Sequence, residues 1–492
     1  MKFRKLILIF NLVILVILSG CSQTQISSGP MSPSELSVAD QIQTLLSEPA
    51  LAPATIGVYI EELGSGKIVY AQNEHKLLMP ASNMKLVTTA SALSVLGPDF
   101  RYNTDFYTNG KIEDGVLKGD LIIKGSGNPT IGGRFYGGKT DSVFTLWVEA
   151  LHTLGIEKIQ GNIIGDKSIF ADDGVGYGWE KDDLPYYYAA KTGALSYNDN
   201  CIDLHISPAE KIGEPVKIQQ KPIKDYLDID NQMITVPKDS ASGSQFYRDY
   251  ALDKLLIKGK MPIDAETDVD WTTVPEPADF LLTAFAGTLE QNNIKFTDTK
   301  ICSEKVNYED KTLLFSHNSV SMQKIVHNIN KISNNFYAET VLKTLSDEKE
   351  KTTATAVKEE KKFLSSIGID TDRMFIVDGS GLSRHNMVTV NQIAGILKYM
   401  SISDNFQIFK ESLPIGGVDG TLRYRLKGSN AKGHVFAKTG YVGHVRALSG
   451  YVDAKNGKTY VFSIIANHYP TPTSKINNLQ DHIVTLLYNQ EN

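Results

Sequence analysis

A serine and a lysine three residues apart open a predicted helix near the start of the chain. Ser82 and Lys85 begin the segment 82–96, which ends ahead of Gly97 and Pro98. Because residues i and i+3 lie on one face of a helix, the lysine amine can reach the serine hydroxyl. A lysine shielded from water can lose its proton near neutral pH and activate a serine nucleophile. The pair predicts acyl transfer, but it also recurs by chance, and an ordinary N-cap explains Ser82 equally well.

Two further groups of polar residues lie in the C-terminal third of the chain. Ser333 and Asn335 lie between two helical patterns, where a hydroxyl can relay a proton and an amide can bind a carbonyl or hold a lysine. Lys438, Thr439 and Gly440 end a predicted strand, and the glycine would let a substrate lie close to the backbone. The plainer interpretations are a loop with ordinary turn chemistry and a strand end with an exposed lysine.

Both of these patterns occur a second time. Residues 191–193 read Lys-Thr-Gly and residues 196–198 read Ser-Tyr-Asn, in the opposite order and within a β-rich segment. Residues 125–129 resemble a nucleotide-binding loop, but the required later glycine is missing and Pro129 prevents a helix start. No His-Glu-x-x-His or comparable metal spacing occurs in the sequence. We expect none of these segments to carry the chemistry.

The elements that must position the chemical groups fall at the two ends of the chain. Hydrophobic periodicity predicts helices at 35–47, 82–96, 278–291, 321–332 and 476–488. Strands are predicted at 55–63, 67–71, 116–124, 159–165, 201–207, 434–439, 445–452 and 460–466. Residues 100–270 contain short strands, many turns and little predicted helix. The pattern therefore indicates one domain formed by both ends of the chain, with a long β-rich insertion.

Composition excludes several classes of protein. The chain has 492 residues, of which 41% are hydrophobic and 22% charged, as in large globular proteins. Its net charge of −6 gives no basic surface that would favour nucleic acid as a partner. Three cysteines are too few for a disulfide framework or a cysteine-rich zinc module. Cys201 and Cys302 could pair or remain two free thiols, and the sequence leaves both possibilities open.

The N-terminus predicts export and membrane attachment. Basic residues at 2, 4 and 5 precede the apolar run 6–18, which is too short to cross a bilayer. Residues 18–21, Leu-Ser-Gly-Cys, resemble a bacterial lipobox, in which Cys21 would be lipidated and become the mature N-terminus. We therefore expect a signal peptide at 1–20, a tether at 21–34 and an extracytoplasmic lipoprotein; an uncleaved anchor helix is the alternative.

The order of the three motifs resembles that in the penicillin-recognising serine acyltransferases. Longer segments resemble one branch, the class C low-molecular-mass penicillin-binding proteins, which form the D-alanyl-D-alanine carboxypeptidase/endopeptidase family. The segments that carry this resemblance are 165–170, 178–179, 194–200, 331–339, 378–384, 412–422 and 437–440. It extends over roughly residues 36–490 and includes the long insertion, which β-lactamases lack.

The resemblance implies an α+β fold. Its core would be a serine β-lactamase/penicillin-binding-protein-like transpeptidase domain, with an antiparallel sheet, flanking helices and a helical subdomain. We expect this discontinuous catalytic domain to comprise residues 35–98 and 271–492. One inserted β-rich domain would comprise 99–200 and 245–270, and a second 201–244.

The resemblance also implies a role for each motif residue. Ser82 would be the nucleophile and Lys85 its general base, while Ser333 would relay the proton of the leaving amine. Asn335 would bind the peptide carbonyl of the substrate, and Lys438 and Thr439 would bind its terminal carboxylate. Gly440 would let the substrate lie close to the backbone. The N–H groups of Ser82 and Tyr441 would form the oxyanion hole. The substrates would be peptidoglycan stem peptides and the covalent inhibitors β-lactams, with no metal or organic cofactor.

One residue departs from the family pattern. The position after Lys-Thr-Gly commonly holds threonine or serine, whose hydroxyl helps to hold the carboxylate, but here it is Tyr441. The change favours endopeptidase activity or a narrower substrate range over carboxypeptidase activity. Two alternatives to a D,D-peptidase remain at this stage: a cell-wall-binding or penicillin-sensing lipoprotein with little turnover, and a β-lactamase or esterase.

Overall fold

The computed structural model describes residues 36–249 and 254–491. The helices are α1 (Val38–Leu46), α2 (Met84–Val95), α3 (Ser142–Thr153), α4 (Pro277–Gln291), α5 (Met322–Ile332), α6 (Asn335–Thr344), α7 (Thr353–Ser366), α8 (Val390–Ser401), α9 (Phe406–Ser412) and α10 (Thr473–Tyr488). The first ten strands are β1 (Thr55–Glu62), β2 (Ile68–Gln72), β3 (Asn103–Thr108), β4 (Lys111–Glu113), β5 (Val116–Lys118), β6 (Leu121–Lys124), β7 (Lys158–Ile159), β8 (Ile163–Asp166), β9 (Cys201–Ser207) and β10 (Lys217–Lys221). The others are β11 (Asp228–Val236), β12 (Gly243–Asp249), β13 (Lys254–Pro262), β14 (Asp268–Thr273), β15 (Thr299–Cys302), β16 (Thr312–Asn318), β17 (Val435–Val442), β18 (Val445–Asp453) and β19 (Thr459–Asn467).

The two ends of the chain meet in one antiparallel sheet of five strands, in the order β17-β18-β19-β1-β2. In its register, Ser463 of β19 lies opposite Tyr59 of β1 on one side and Ser449 of β18 on the other. Successive side chains of a strand point to opposite faces. On one face, Val58 and its neighbours pack against α1 and α10, and on the other Tyr59 packs into a helical layer. Helices therefore cover both faces of this sheet.

The helical layer that positions Ser82 is built around α2. Ten of the twelve residues of α2, from Met84 to Leu93, are buried, so this helix lies inside the layer instead of on its surface. It packs against α5, α6, α7 and α8. In α5, Met322, Ile325, Val326 and Ile329 are buried at the spacing that predicted this helix. The helix start at Ser82 thus lies between the sheet and the helices.

The inserted segment forms a second five-stranded sheet, in the order β15-β8-β6-β3-β16. Helices α3 and α4 pack on it through an aromatic cluster that includes Trp147 and Phe285. The predicted strands 116–124 and 159–165 are each two short strands, and the prediction of little helix here missed α3. Strands β15 and β16 belong to this sheet, so the chain returns to the helical layer after Asn318 and not at residue 271. Pairing between strands distant in sequence sets this boundary, which local periodicity cannot detect.

Three three-stranded sheets complete the insertion, in the orders β4-β5-β7, β10-β9-β14 and β11-β13-β12. Strand β13 pairs with β11 and β12, so residues 254–262 join the strands of 228–249. This pairing differs from the expected grouping of 245–270 with 99–200, because β13 forms an antiparallel hairpin with β12 and pairs in parallel with β11.

The predictions for the N-terminal segment concern residues that the structure does not describe. The signal peptide, Cys21 and the tether lie outside the described residues. Within the described residues, no helix has the length and apolar character needed to cross a membrane. Cys201 is buried and Cys302 partly exposed, and both are free thiols, so the pairing considered from the sequence does not form.

Candidate active site

Ser82 lies in a short 3₁₀ turn, Ala81–Asn83, that leads directly into α2. One turn later, Lys85 is completely buried, and its Nζ donates a hydrogen bond to Ser82 Oγ at 2.9 Å. Nζ also donates to Asn335 Oδ1 at 2.6 Å and to the Ser380 carbonyl at 2.7 Å. These three acceptors satisfy all the donors of an ammonium group. The predicted serine–lysine contact is therefore formed.

The surroundings of Lys85 suit it to act as a base. Burial lowers the pKa of Lys85 to about 7, because the charged amine loses its water. The carboxylates of Glu339 and Asp378 act in the opposite direction. A lysine with this pKa is partly neutral at physiological pH and can accept the proton of a serine hydroxyl.

The turn that carries Ser82 is fixed to the sheet behind it. Asn83 Nδ2 donates to Ser449 Oγ at 2.6 Å, and Ser449 Oγ donates to Ser463 Oγ at 2.9 Å. Ala81 has a φ of +46°, an unfavourable conformation for a residue with a Cβ. The strained residue directly precedes Ser82 and is closely packed. A Cβ at Gly381 would lie only 1.8 Å from the Ala81 carbonyl oxygen.

Ser333 and Lys438 form a second contact beside the first. Ser333 ends α5 in the left-handed conformation, with φ 63° and ψ 41°. Its Oγ accepts a hydrogen bond from Lys438 Nζ at 2.8 Å, and Nζ also donates to the Thr439 carbonyl at 2.9 Å. Lys438 is completely buried. Burial, followed by the charges of Lys85 and Arg446, holds the pKa of Lys438 well below its usual range.

Asn335 links the catalytic helices to the insertion. Its Oδ1 accepts from Lys85 Nζ, and its Nδ2 donates to the Tyr188 carbonyl at 2.7 Å. The amide orientation is therefore fixed by a donor on one side and an acceptor on the other. Tyr188 was not among the predicted site residues, because its contribution is a backbone carbonyl that no side-chain pattern reveals.

Strand β17 supplies the opposite wall of the site. It is the edge strand of its sheet, and Ala437 N–H donates to the Pro414 carbonyl on its free side. Alternation along the strand directs the N–H groups of Thr439 and Tyr441 to that same side. Thr439 Oγ1 lies 2.7 Å from Thr421 Oγ1. Gly440 is required here, because a Cβ would lie 2.7 Å from the Pro80 carbonyl oxygen, next to the nucleophile turn.

Two buried carboxylates that the sequence analysis did not assign hold the loop that receives Lys85. The Glu339 carboxylate accepts from the N–H groups of Gly379 at 3.0 Å and Ser380 at 2.8 Å. Asp378 accepts from the N–H of Gly381 at 2.8 Å and from Trp179 Nε1 at 3.0 Å. Both acids lie in the segments that carried the family resemblance. That resemblance was the only signal that could have pointed to them.

The site opens into a cleft of about 1260 Å³. Its walls combine Ser82, Ser333, Thr439 and Tyr441 with residues of the insertion. The contributions from the insertion include Arg134, Tyr187, Asp199 and Trp271. The repeated motif at 191–193 lines a separate cavity of about 200 Å³. Among the described residues, no cluster of His, Cys, Asp and Glu side chains could hold a metal ion.

Residues 38–490 match the D-Ala-D-Ala carboxypeptidase 3 (S13) family. The chain belongs to this family. A D-alanyl-D-alanine carboxypeptidase from Actinomadura sp. strain R39 is 30% identical over 447 residues, which cover 88% of this chain and 81% of that protein. Penicillin-binding protein 4 from Haemophilus influenzae has the same fold, with a TM-score of 0.80 and 24% identity over 92% of this chain and 100% of that one. Its complex with a β-lactam gives a TM-score of 0.75 and 22% identity over the same shares of the two chains.

Family membership identifies the enzyme as a serine D,D-peptidase of the low-molecular-mass penicillin-binding type. The predicted fold class and reaction class are confirmed. The geometry brings together every motif residue predicted for the site: Ser82, Lys85, Ser333, Asn335, Lys438, Thr439, Gly440 and Tyr441.

Proposed function

We propose that this peptidase cleaves the bond after the penultimate D-alanine of peptidoglycan stem peptides through an acyl-enzyme on Ser82. The observation that carries the proposal is the 2.9 Å hydrogen bond between Ser82 Oγ and the buried amine of Lys85. Since the pKa of Lys85 is about 7, the neutral amine is available near physiological pH. Carboxypeptidase and endopeptidase reactions share this step and differ only in the leaving group.

In the acylation step, Ser82 Oγ attacks the carbonyl carbon of the penultimate D-alanine, and its proton passes to Lys85 Nζ. The carbonyl oxygen becomes an oxyanion, which the N–H groups of Ser82 and Tyr441 stabilise. The C–N bond then breaks as Ser333 Oγ gives its proton to the leaving amine and takes up in exchange the proton held by Lys85. Lys438, hydrogen-bonded to that hydroxyl, favours its role as a donor.

Hydrolysis completes the cycle. A water molecule attacks the ester carbonyl and gives its proton to the neutral Lys85 amine. The ester C–O bond then breaks, and Lys85 returns the proton to Ser82 Oγ, which restores the hydroxyl. Asn335 binds the peptide carbonyl of the substrate, and Lys438 and Thr439 engage its terminal carboxylate. β-Lactams acylate the same serine and carry a carboxylate for the same contact.

Labelling with fluorescent penicillin tests the nucleophile. We expect the parent to be labelled covalently and Ser82→Ala to lose the label completely. Ser94→Ala, on the same helix but outside the cleft, is the matched control and should be labelled like the parent. Absence of label on the parent would contradict the proposal, and label retained by Ser82→Ala would place the nucleophile elsewhere.

Turnover distinguishes an enzyme from a penicillin sensor. Incubation of the parent with a stem pentapeptide should release free D-alanine, and a cross-linked muropeptide dimer should yield monomers if endopeptidase activity is present. A protein that is labelled by penicillin but turns over neither substrate would be a sensor.

We also propose that the enzyme acts outside the cytoplasm, attached to a membrane by a lipid on Cys21. The basic and apolar N-terminal segments and the Leu-Ser-Gly-Cys sequence support this proposal. In bacteria fed labelled palmitate, the parent should incorporate label and fractionate with membranes, whereas Cys21→Ser should do neither. Incorporation that persists in Cys21→Ser would contradict lipidation at this residue.

A further inference from the structure

Arg446 is a cation in the cleft to which the family resemblance gave no role. It lies on β18 directly opposite Tyr441 of β17, so the two side chains are on the same face of the sheet. The guanidinium lies 5.7 Å from the centre of the Tyr441 ring. Arg446 lines the cleft together with Ser82, Thr421 and Thr439. It therefore reaches the cleft from the strand next to β17, beside the wall that β17 forms.

The hydrogen bonds of Arg446 leave most of its donors available. Its Nε donates to Asn477 Oδ1 at 2.6 Å, and this is the only hydrogen bond of its side chain to other described residues. That bond fixes the near end of the guanidinium to α10. The two terminal nitrogens together carry four N–H donors in a planar fork, which matches the geometry of a carboxylate.

The charge around Arg446 is incompletely balanced. The nearby Asp481 carboxylate accepts from Arg425 Nε at 3.1 Å and Nη2 at 2.7 Å, so its ion pair is with Arg425 and not with Arg446. Burial lowers the pKa of Arg446 to about 10, and the charge of Arg425 contributes in the same direction. Arg446 in turn lowers the pKa of Lys438. A surplus of positive charge at this wall favours an anionic ligand.

We propose that Arg446 binds the carboxylate of the substrate residue that leaves, and so provides the contact that a hydroxyl at position 441 would otherwise make. The proposal rests on the function proposed above, in which that carboxylate lies along Lys438 and Thr439. The Tyr441 ring lies beside that guanidinium, 5.7 Å from it. Recognition of the carboxylate would be retained, although the residue after Lys-Thr-Gly has changed.

Matched substrates separate this role from a structural one. The probes are Nα-acetyl-L-Lys-D-Ala-D-Ala with a free carboxylate and the same peptide with a terminal carboxamide. We expect Arg446→Gln to lower kcat/KM for the carboxylate peptide by about 10- to 100-fold, the range expected for a lost charge-assisted contact. For the carboxamide peptide, the loss should be under about threefold. Arg446→Lys should retain part of the preference, because it keeps the charge but not the planar fork.

The control variant is Arg373→Gln, which removes the same charge from an exposed turn outside the cleft. It should leave both values of kcat/KM unchanged. An equal loss for the two peptides in Arg446→Gln, or no loss for either, would overturn the proposal. Failure of the parent to cleave both peptides, or to be acylated at Ser82, would instead overturn the proposed function, so the two failures are distinguishable.

Discussion

A Ser-x-Asn segment and a Lys-Thr-Gly segment line the cleft, and a second copy of this pair of motifs lies in the insertion, in different surroundings. In the cleft, Lys438 Nζ donates to Ser333 Oγ at 2.8 Å, and Ser333 lines the cleft together with Ser82. In the insertion, Lys191 Nζ donates to the Pro275 carbonyl at 3.2 Å, and Ser196 Oγ donates to the Gly193 carbonyl at 3.1 Å. The second lysine and the second serine do not contact each other.

The polar atoms of the second copy are used to hold the insertion together and against the helical layer. Thr192 Oγ1 accepts from Lys343 of α6 at 2.6 Å, and Asn200 Nδ2 donates to the Lys191 carbonyl at 2.7 Å. In the first copy, by contrast, a fully buried lysine is aimed at a hydroxyl in an open cleft. The same residue types thus stabilise structure in one place and can perform chemistry in the other, and the difference lies in what their polar atoms contact.

The largest expected effect is the difference between a substitution of Lys85 on α2 and a substitution of Lys191 in the insertion. Lys85→Met should lower the rate of acylation by penicillin by about 1000-fold, because the serine loses its base. Lys191→Met should change that rate by less than about twofold, because its amine binds only a backbone carbonyl. Stopped-flow measurement with a fluorescent penicillin gives both rates. Comparable losses in the two variants would contradict the role of Lys85 as the base, because Lys191 lies outside the cleft.

Substitution of Ser333 should affect activity, whereas substitution of Ser196 should affect stability. Ser333→Gly keeps the left-handed backbone and should lower kcat for D-alanine release by about 100-fold, because the proton relay is lost. Ser196→Ala should leave kcat unchanged and lower the free energy of unfolding by about 1 kcal/mol, through its lost hydrogen bond. Steady-state kinetics and urea unfolding measure the two quantities. A stable Ser333→Gly with full activity would contradict the relay.

The contacts among the residues proposed as catalytic were predictable where the motif is local. Ser82 and Lys85 are one helical turn apart, so their contact follows from helix geometry alone. The sheet joining the chain ends was also predictable, since the hairpin of β18 and β19 and the strands β1 and β2 have strong local signals. The ordering of the three motifs then supplied the family and its reaction.

What escaped prediction depends on contacts between distant parts of the chain. The return from the insertion at Asn318 is set by pairing of β16 with β3, about 200 residues earlier. The contact of Asn335 with the Tyr188 carbonyl involves a backbone atom that no pattern marks. Arg446 reads as an ordinary charged residue on a strand, and only the register with Tyr441 places it in the cleft.

The pH dependence of acylation probes the burial of Lys85. The amine must be neutral to accept the serine proton, and its pKa of about 7 means that it is protonated below that pH. The acylation rate should therefore rise about tenfold between pH 6 and pH 8 and then level off. Pre-steady-state penicillin acylation across this range gives the profile. A rate that is constant from pH 6 to 8, or an inflection near the ordinary lysine pKa, would show that Lys85 is not the titrating base.

The smallest expected effect is that of Tyr441→Thr. The Tyr441 side chain is 57% exposed at the end of β17, so its replacement should leave the fold intact. A threonine hydroxyl would add one contact to the carboxylate, and D-alanine release from a stem pentapeptide should increase by about two- to fivefold. The increase should be small in the parent, because Arg446 already binds that carboxylate. In the Arg446→Gln background the same substitution should give a larger increase, which would show that the two positions are coupled. Identical D-alanine release by the parent and Tyr441→Thr would end the hypothesis that this tyrosine weakens carboxylate recognition.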